Sequence, residues 1–222
     1  MAIPEFHVHP SASVYIRFAT RSAHTALERT GVGSLLMSEA LESVDYLKIL
    51  ERWLFAWVRL EELLAHYRPS AIDSGRVPEA RAERLRRDIQ KVRQFLGHQP
   101  TAATLEHQRA STLCTSRLTR LVSTECGWLG LAYVMQGSKL GNAVVASHLQ
   151  RVLPIEIADC ASFFSFDPDD GMGLAQHWRL WLNWFDLQLH IPPMHEIAAR
   201  AAILTFDFMS CALGDSGRQK ED

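Results

Sequence analysis

Residues 128–153 read WLGLAYVMQGSKLGNAVVASHLQRVL, an apolar run whose residue choice predicts a helix. Gly137 and Gly141 stand four residues apart near its middle, and each is followed by a small polar residue, Ser138 and Asn142. A glycine inside a helix costs about 1 kcal/mol relative to alanine. The pair therefore indicates either close packing against another helix or a bend over a flat cofactor. This stretch alone leaves both alternatives open.

The segment YVMQGSKLGNAVVASHL is similar to the kinked distal helix of bacterial haem oxygenases, especially those associated with phytochromes. That family carries the pattern Tyr-Val-x-x-Gly-Ser-x-Leu-Gly-Gly. The chain departs from the pattern at Asn142, where the family usually has a second glycine. It matches the pattern at Tyr133, Val134, Gly137, Ser138, Leu140 and Gly141.

A first helix is predicted to begin at Ser13, which can cap it, and to end at Gly31. Four of its polar residues are separated by steps of four, three and four, which place them on one helical face. These residues are Arg17, Arg21, His24 and Glu28. Without further information the row is typical of a solvent-exposed face with a His–Glu pair one turn apart.

Residues 20–28, TRSAHTALE, resemble the Thr-Arg-x-x-His-x-x-Leu-Glu setting of the proximal histidine in haem oxygenases. The resemblance implies that His24 is the axial ligand of the haem iron, because iron accepts a neutral imidazole nitrogen. Glu28 would fix the other ring nitrogen, directly or through water. Arg17 and Arg21 would pair with the haem propionates, since a guanidinium fork matches a carboxylate.

The resemblance implies an all-α, haem-oxygenase-like bundle in which haem lies between the first helix and the kinked distal helix. Haem b would be both cofactor and substrate, and it would be opened to biliverdin, iron and carbon monoxide. The reaction needs O2 and electrons from an external reductase or ferredoxin. Tyr133 would lie beside the haem, and Arg179 would be a further propionate ligand. Gly137 and Gly141 would form the distal wall, with Ser138 holding a water.

Asn142 has two possible roles. It lies one turn after Ser138, so the two side chains share a face of the helix. If that face looks at the iron, the amide of Asn142 donates a hydrogen bond to bound oxygen, and glycine there would speed oxygen loss. If the face looks elsewhere, Asn142 is a packing residue whose polar groups need partners.

The remaining periodic segments predict further helices and no strands. A wide apolar stripe covers residues 43–67, and a basic helix is predicted from Pro78 to Gly97. Its cations form either a solvated face or a docking patch for an acidic electron donor. Residues 31–34 are predicted as a turn, and residues 98–122 as a weakly patterned connection that admits a short helix after Thr104. The last two helices are predicted at residues 174–189 and 192–213.

Composition limits the remaining possibilities. The chain of 222 residues suits one domain, at residues 13–213, with an N-terminal arm at 1–12 and a polar tail at 214–222. A net charge of −2 gives no indication of nucleic-acid binding. The longest uncharged run, residues 126–138, is too short to span a bilayer, and the four scattered cysteines favour a cytoplasmic protein with reduced thiols.

Three functions are consistent with these observations. The first is an active haem oxygenase, with a redox donor protein and a biliverdin-using phytochrome as candidate partners. The second is a haem-binding relative without turnover, used in storage, transfer or sensing. The third is another all-α enzyme or scaffold of this architecture. Within the third class, the di-iron carboxylate bundles are disfavoured because no Glu-x-x-His occurs in the chain.

Overall fold

The computed structural model describes residues 10–97, 115–166 and 171–213, and these residues form helices, turns and loops without a strand. Helices α1 to α4 are Ala12–Glu28, Gly31–Leu36, Ser43–His66 and Ala82–Leu96. Helix α5 covers residues 115–122. Helices α6 to α9 are Glu125–Val152, Ile155–Ala158, Leu174–Gln188 and Pro192–Leu213, and short 3-10 turns occur at Ser74–Arg76 and Ser162–Phe164. The predicted all-α class is confirmed.

Helix α9 is the support on which the first helix and the glycine-containing helix lie. It packs along both α1 and α6. The ring of Tyr15 contacts His195 near the start of α9, and His24 contacts Phe206 further along, so α1 and α9 run in the same direction. On the α6 side, Gly130 approaches the backbone of Ala198 so closely that a Cβ there would collide with its carbonyl. Helices α1 and α6 are therefore both positioned by their packing against α9.

The second packing region joins α3, α4, α6 and the Ser162–Phe164 turn. Trp53 and Trp57 of α3 stack with ring centroids 6.4 Å apart, and Phe163 packs edge-on against both. Across the same core, Trp128 of α6 donates its indole N–H to the Leu64 carbonyl at 2.9 Å. This region places one side of α6 against a wall of aromatic rings.

Two helix boundaries differ from the predictions for identifiable reasons. Helix α1 begins at Ala12, and the N–H of Ser13 is capped by Asp186 of α8 at 2.7 Å instead of by a neighbouring side chain. Helix α4 begins at Ala82 and not at Pro78, because a carboxylate oxygen of Glu61 accepts from the N–H groups of Arg81 and Ala82. In both cases a residue distant in sequence supplies the cap, and local patterns do not reveal it.

The predicted turn at residues 31–34 was also wrong, since Gly31 begins the short helix α2 with Thr30 as its cap. Helix α1 therefore ends at Glu28 and not at Gly31, and residues 115–122 of the predicted connection form α5. The other boundaries are close to the predictions. Thr124 caps α6 through Gly127, Gly97 ends α4 in the left-handed region at φ 64°, and α8 and α9 lie where predicted. No helix among the described residues is long and apolar enough to cross a membrane. Most of the predicted arm, the connection to residue 114 and the tail lie outside the described residues.

Candidate functional site

His24 lies on an open face of α1, with one ring nitrogen near the Glu28 carboxylate and the other without a partner among the described residues. Its side chain is 56% exposed, and Nδ1 lies 3.4 Å from Oε1 of Glu28, as the spacing predicts. The ring packs edge-on against Phe206, with centroids 5.4 Å apart. Nε2 has no hydrogen-bond partner within the described parts of the chain. An imidazole oriented in this way presents Nε2 as a potential metal ligand.

Arg17 of α1 and Tyr133 of α6 approach each other across the gap between their helices. Burial raises the pKa of Tyr133, and the positive charge of Arg17 opposes that rise while Asp186 adds to it. Arg17 and Arg21 are exposed, and neither forms an ion pair with the residues that the structure describes. The arrangement puts two cations without an ion pair among the described residues on the helix of His24, with a phenol near Arg17, and this combination suits a ligand carrying carboxylates.

The glycines of α6 are not equivalent. A Cβ on Gly137 would meet the ring of Trp178 at 3.3 Å, so the packing of α8 accounts for this glycine. A Cβ on Gly141 would find nothing within 4 Å, and this residue is exposed. Because glycine costs about 1 kcal/mol in a helix and nothing in the described structure requires it at position 141, a ligand close to the backbone is the fitting explanation.

Ser138 and Asn142 do share one face of α6, and that face is turned toward the buried side chain of Arg81. The guanidinium donates to Oγ of Ser138 at 2.7 Å and to the Phe163 carbonyl at 3.2 Å. With its amide oriented to satisfy its neighbours, Asn142 accepts from Arg81 at 2.6 Å and donates to the Ser138 carbonyl at 3.2 Å. Asn142 is 4% exposed. These contacts favour the packing role over a role at the iron.

Arg81 is the residue at this site that the sequence did not reveal. It is 2% exposed, and its guanidinium lies over the rings of Phe163 and Trp57 at 4.7 and 5.0 Å from their centroids. Burial lowers the pKa of Arg81 to about 10, so the group remains charged at neutral pH. A buried charge of this kind needs hydrogen-bond partners, and Ser138, Asn142 and Phe163 accept from its two terminal nitrogens, while Nε has no partner among the described residues.

Asp88 fixes the turn against which Arg81 packs. Its carboxylate accepts from Oγ of Ser162 at 2.6 Å and from the N–H of Phe163 at 2.8 Å. Burial raises the pKa of Asp88, and these hydrogen bonds oppose the rise. Arg81 and Asp88 thus connect α4 to the Ser162–Phe164 turn and, through Ser138, to α6.

Two other predicted features are less tightly placed. Arg179 is exposed on α8 beside Trp178 and forms no ion pair in the described ranges. Much of the basic character of α4 is neutralised, because Arg84, Arg86 and Arg93 pair with Glu79, Glu83 and Glu51. No group of three or more potential metal-ligating His, Cys, Asp or Glu side chains occurs in the part of the chain that the structure describes.

A protein-family model described as Heme oxygenase matches residues 11–210 of the chain. The chain belongs to the haem oxygenase family. The matched region contains α1 to α8 and most of α9, including His24 of α1 and the glycines of α6. A search of curated proteins finds no significant match to this haem oxygenase family member.

Solved structures of bacterial haem oxygenases share the fold. The enzyme of Leptospira interrogans superposes with a TM-score of 0.70 at 17% identity, over 93% of this chain and 100% of the other. Heme oxygenase-1 of the cyanobacterium Synechocystis, solved in complex with heme, gives 0.68 at 16% identity, over 93% and 92%. The Neisseria meningitidis protein gives 0.61 at 18% identity, over 92% and 91%. The expected haem-oxygenase-like fold is therefore confirmed.

The contacts of Asn142 lead to a prediction about Asn142→Gly. We expect this variant to lose about 2 kcal/mol of unfolding free energy, because Arg81 loses an acceptor and a helix gains a glycine. We expect its affinity for haem and for O2 in the reduced haem complex to be unchanged. Chemical denaturation and ligand titration would measure both. Asn183→Gly, at an exposed position of α8, is the matched control for the cost of glycine alone.

A large change of oxygen affinity in Asn142→Gly, with Asn183→Gly unaffected, would contradict this placement. It would show instead that the amide acts at the ligand.

Proposed function

We propose that this chain is an active haem oxygenase that binds haem b between α1 and α6 and converts it to biliverdin, iron and carbon monoxide. The observation that carries the proposal is Nε2 of His24, which has no partner in the described part of the chain, on a histidine whose other nitrogen lies 3.4 Å from the Glu28 carboxylate. This is the donor geometry that haem iron requires of a protein ligand. Gly141 supports the proposal, because nothing lies within 4 Å of its Cβ position and a flat group can approach the backbone of α6 there.

The proposal assigns the predicted site residues to three tasks. His24 is the iron ligand, and Glu28 holds its tautomer and orientation. Arg17, Arg21, Tyr133 and Arg179 orient the haem through its propionates. Gly141 leaves the distal wall without a side chain, Gly137 lets Trp178 pack against that wall, and Ser138, Asn142 and Arg81 support it from behind. When bound, haem supplies the iron that activates O2 and the ring that is cleaved.

The double variant Arg17→Ala/Arg21→Ala tests the propionate assignment. We expect haem affinity to fall by about tenfold, equivalent to about 1.4 kcal/mol, because exposed charge pairs contribute little individually. The mixture of biliverdin isomers should broaden, since the haem would no longer be held in one orientation. Haemin titration and chromatography of the product measure these effects.

The matched control is Arg86→Ala/Arg87→Ala on α4, which removes the same charge from a distant exposed face. If both double variants bind haem equally well and give the same mixture of biliverdin isomers, then Arg17 and Arg21 belong only to a solvent-exposed face of α1.

The proposal extends to partners and location. O2 and an external electron donor, a reductase or a ferredoxin, complete the reaction. Exposed cations of α4 without an ion pair among the described residues, Arg87 and Lys91, are the candidate contact for an acidic donor. A phytochrome that uses biliverdin is the candidate consumer of the product, and the cytoplasm is the proposed location. The phytochrome proposal rests on the Gly-Ser-x-Leu-Gly segment of α6.

A direct experiment distinguishes the active enzyme from a relative that only binds haem. Purified protein is mixed with haemin, and ascorbate and O2 are then added. The proposal predicts a Soret band of histidine-ligated haem that decays as biliverdin forms. A stable Soret band would select haem binding without turnover, and absence of a band would exclude both.

A further inference from the structure

Three tryptophans of α8 form a continuous array from the glycine face of α6 toward the surface. Trp178 reaches to 3.3 Å from the Cβ position of Gly137. Trp178 and Trp181 stack with centroids 5.6 Å apart and an interplanar angle of 7°, and Trp184 follows at 5.6 Å from Trp181. Trp181 is 4% exposed, whereas Trp178 and Trp184 at the two ends are partly exposed. We call these three residues the tryptophan array.

We propose that the tryptophan array carries oxidising equivalents from the haem site to the protein surface and so protects the site against peroxide. The inference rests on the proposed function, because haem is the source of the oxidising equivalents. Tryptophan and tyrosine are the aromatic side chains that lose an electron most easily, and neighbouring rings in contact exchange electrons readily. Trp178 is the member of the array that lies against the wall of the site.

The surroundings of the array stabilise positive charge on Trp181 and favour a deprotonated, neutral radical on Trp184. The indole N–H of Trp181 donates to the Arg76 carbonyl at 3.0 Å, and an acceptor at this position stabilises positive charge on the ring. The Arg76 guanidinium lies 5.9 Å from the centroid of Trp184 and disfavours positive charge there. An oxidised Trp184 therefore releases its indole proton to water, which its partial exposure permits. Electron entry from a low-potential donor would not use this route, because oxidising an indole requires a strong oxidant.

The neighbouring aromatic residues do not provide an equivalent path. Tyr133 lies 5.5 Å from Trp178 and 5.5 Å from Phe185, which in turn stacks on Trp181. Phenylalanine is not oxidised under these conditions, so the route from Tyr133 through Phe185 is interrupted. Within the described residues of α8, Trp178 is thus the link on which the array depends.

The proposed reaction balances with hydrogen peroxide as oxidant and ascorbate as reductant. In each passage ascorbate gives one electron to oxidised Trp184, Trp184 gives one to Trp181, Trp181 gives one to Trp178, and Trp178 gives one to the haem site. Two passages and two protons from water convert one hydrogen peroxide to two waters. Two ascorbates are oxidised by one electron each, and the three indoles return to their starting state.

The test uses haem-loaded full-length protein with ring-deuterated tryptophan, mixed with hydrogen peroxide without reductant and frozen rapidly. Electron paramagnetic resonance is expected to show a tryptophan radical in the parent protein. Trp178→Phe keeps an aromatic ring against Gly137 and is expected to lose this signal. Trp53→Phe is the matched control and should retain the signal, because Trp53 lies outside the array. Its indole N–H has no hydrogen-bond partner among the described residues, so the change breaks no such bond. A Trp178→Phe spectrum identical to that of the parent would overturn the proposal.

Trp184→Phe provides a second measurement if Trp178→Phe folds poorly. This variant leaves the inner array intact and is expected to bind haem normally. In the absence of O2, so that turnover does not consume the haem, ascorbate should then no longer slow the peroxide bleaching of the Soret band, although it does so in the parent. Equal protection in Trp184→Phe and parent would overturn the array. If adding haemin gives no Soret band, the proposed function and the array are both overturned. If the Soret band is normal, a failure of the array leaves the proposed function standing.

Discussion

Replacing His24 with alanine is expected to remove the histidine-ligated haem spectrum while leaving the helical bundle intact. The side chain is 56% exposed and contributes one edge contact, with Phe206, so its loss should cost little stability. Haem affinity should fall by roughly a hundredfold or more. Removing only a hydrogen-bond partner of a metal ligand already lowers metal affinity by about 10–100-fold, and here the ligand itself is removed. Turnover to biliverdin should cease.

Two comparisons make the His24 experiment specific. Added imidazole should occupy the space left in His24→Ala and restore the axial ligand and its spectrum. His190→Ala, an exposed histidine between α8 and α9, should behave like the parent protein. Unchanged haem spectra and turnover in His24→Ala would rule out the assignment of His24 as the ligand.

Replacing Arg81 with methionine is expected to have the largest effect on stability. The change leaves three acceptors around the site without their donor, the Ser138 hydroxyl, the Phe163 carbonyl and the Asn142 amide oxygen. We expect a loss of about 3 kcal/mol in unfolding free energy, because each buried unpaired group is penalised and methionine recovers only part of the packing. The distal part of α6 should become more open.

Chemical denaturation measures the stability of Arg81→Met, and amide hydrogen exchange at residues 135–142 measures the opening. Arg87→Met removes an exposed cation six residues further along the chain and is the matched control. Arg81→Lys should fall between parent and Arg81→Met, since it keeps the charge and loses the fork. Equal stability of Arg81→Met and Arg87→Met would show that the Arg81 network does not support α6.

Much of the bundle follows from local sequence patterns. The apolar stripe of residues 43–67 gives α3 to within one residue, and Thr124 and Gly97 mark helix ends by their own cap geometry. The row from Arg17 to Glu28 and the pair Ser138 and Asn142 were correctly placed on common faces, because helical spacing alone determines this. Family resemblance added the haem, which no periodicity indicates.

The remaining features depend on contacts between distant segments. Nothing in the sequence distinguishes Arg81 from the cations of α4 that follow it. It is buried because Trp57 and Phe163 enclose it. Spacing placed Ser138 and Asn142 on one face but did not reveal that this face is turned toward Arg81. Likewise Gly137 and Gly141 look alike in sequence, and only the position of Trp178 separates a packing glycine from an unexplained one.

The most direct test of the account is a haemin titration of the purified protein followed by reduction under O2. The account predicts one equivalent of haem bound through His24, seen as a Soret band that is absent in His24→Ala and restored by imidazole. Addition of reductant should convert this band to biliverdin absorption with release of carbon monoxide. A spectrum of free haemin in the parent protein, or bound haem that is equally well ligated in His24→Ala, would contradict it.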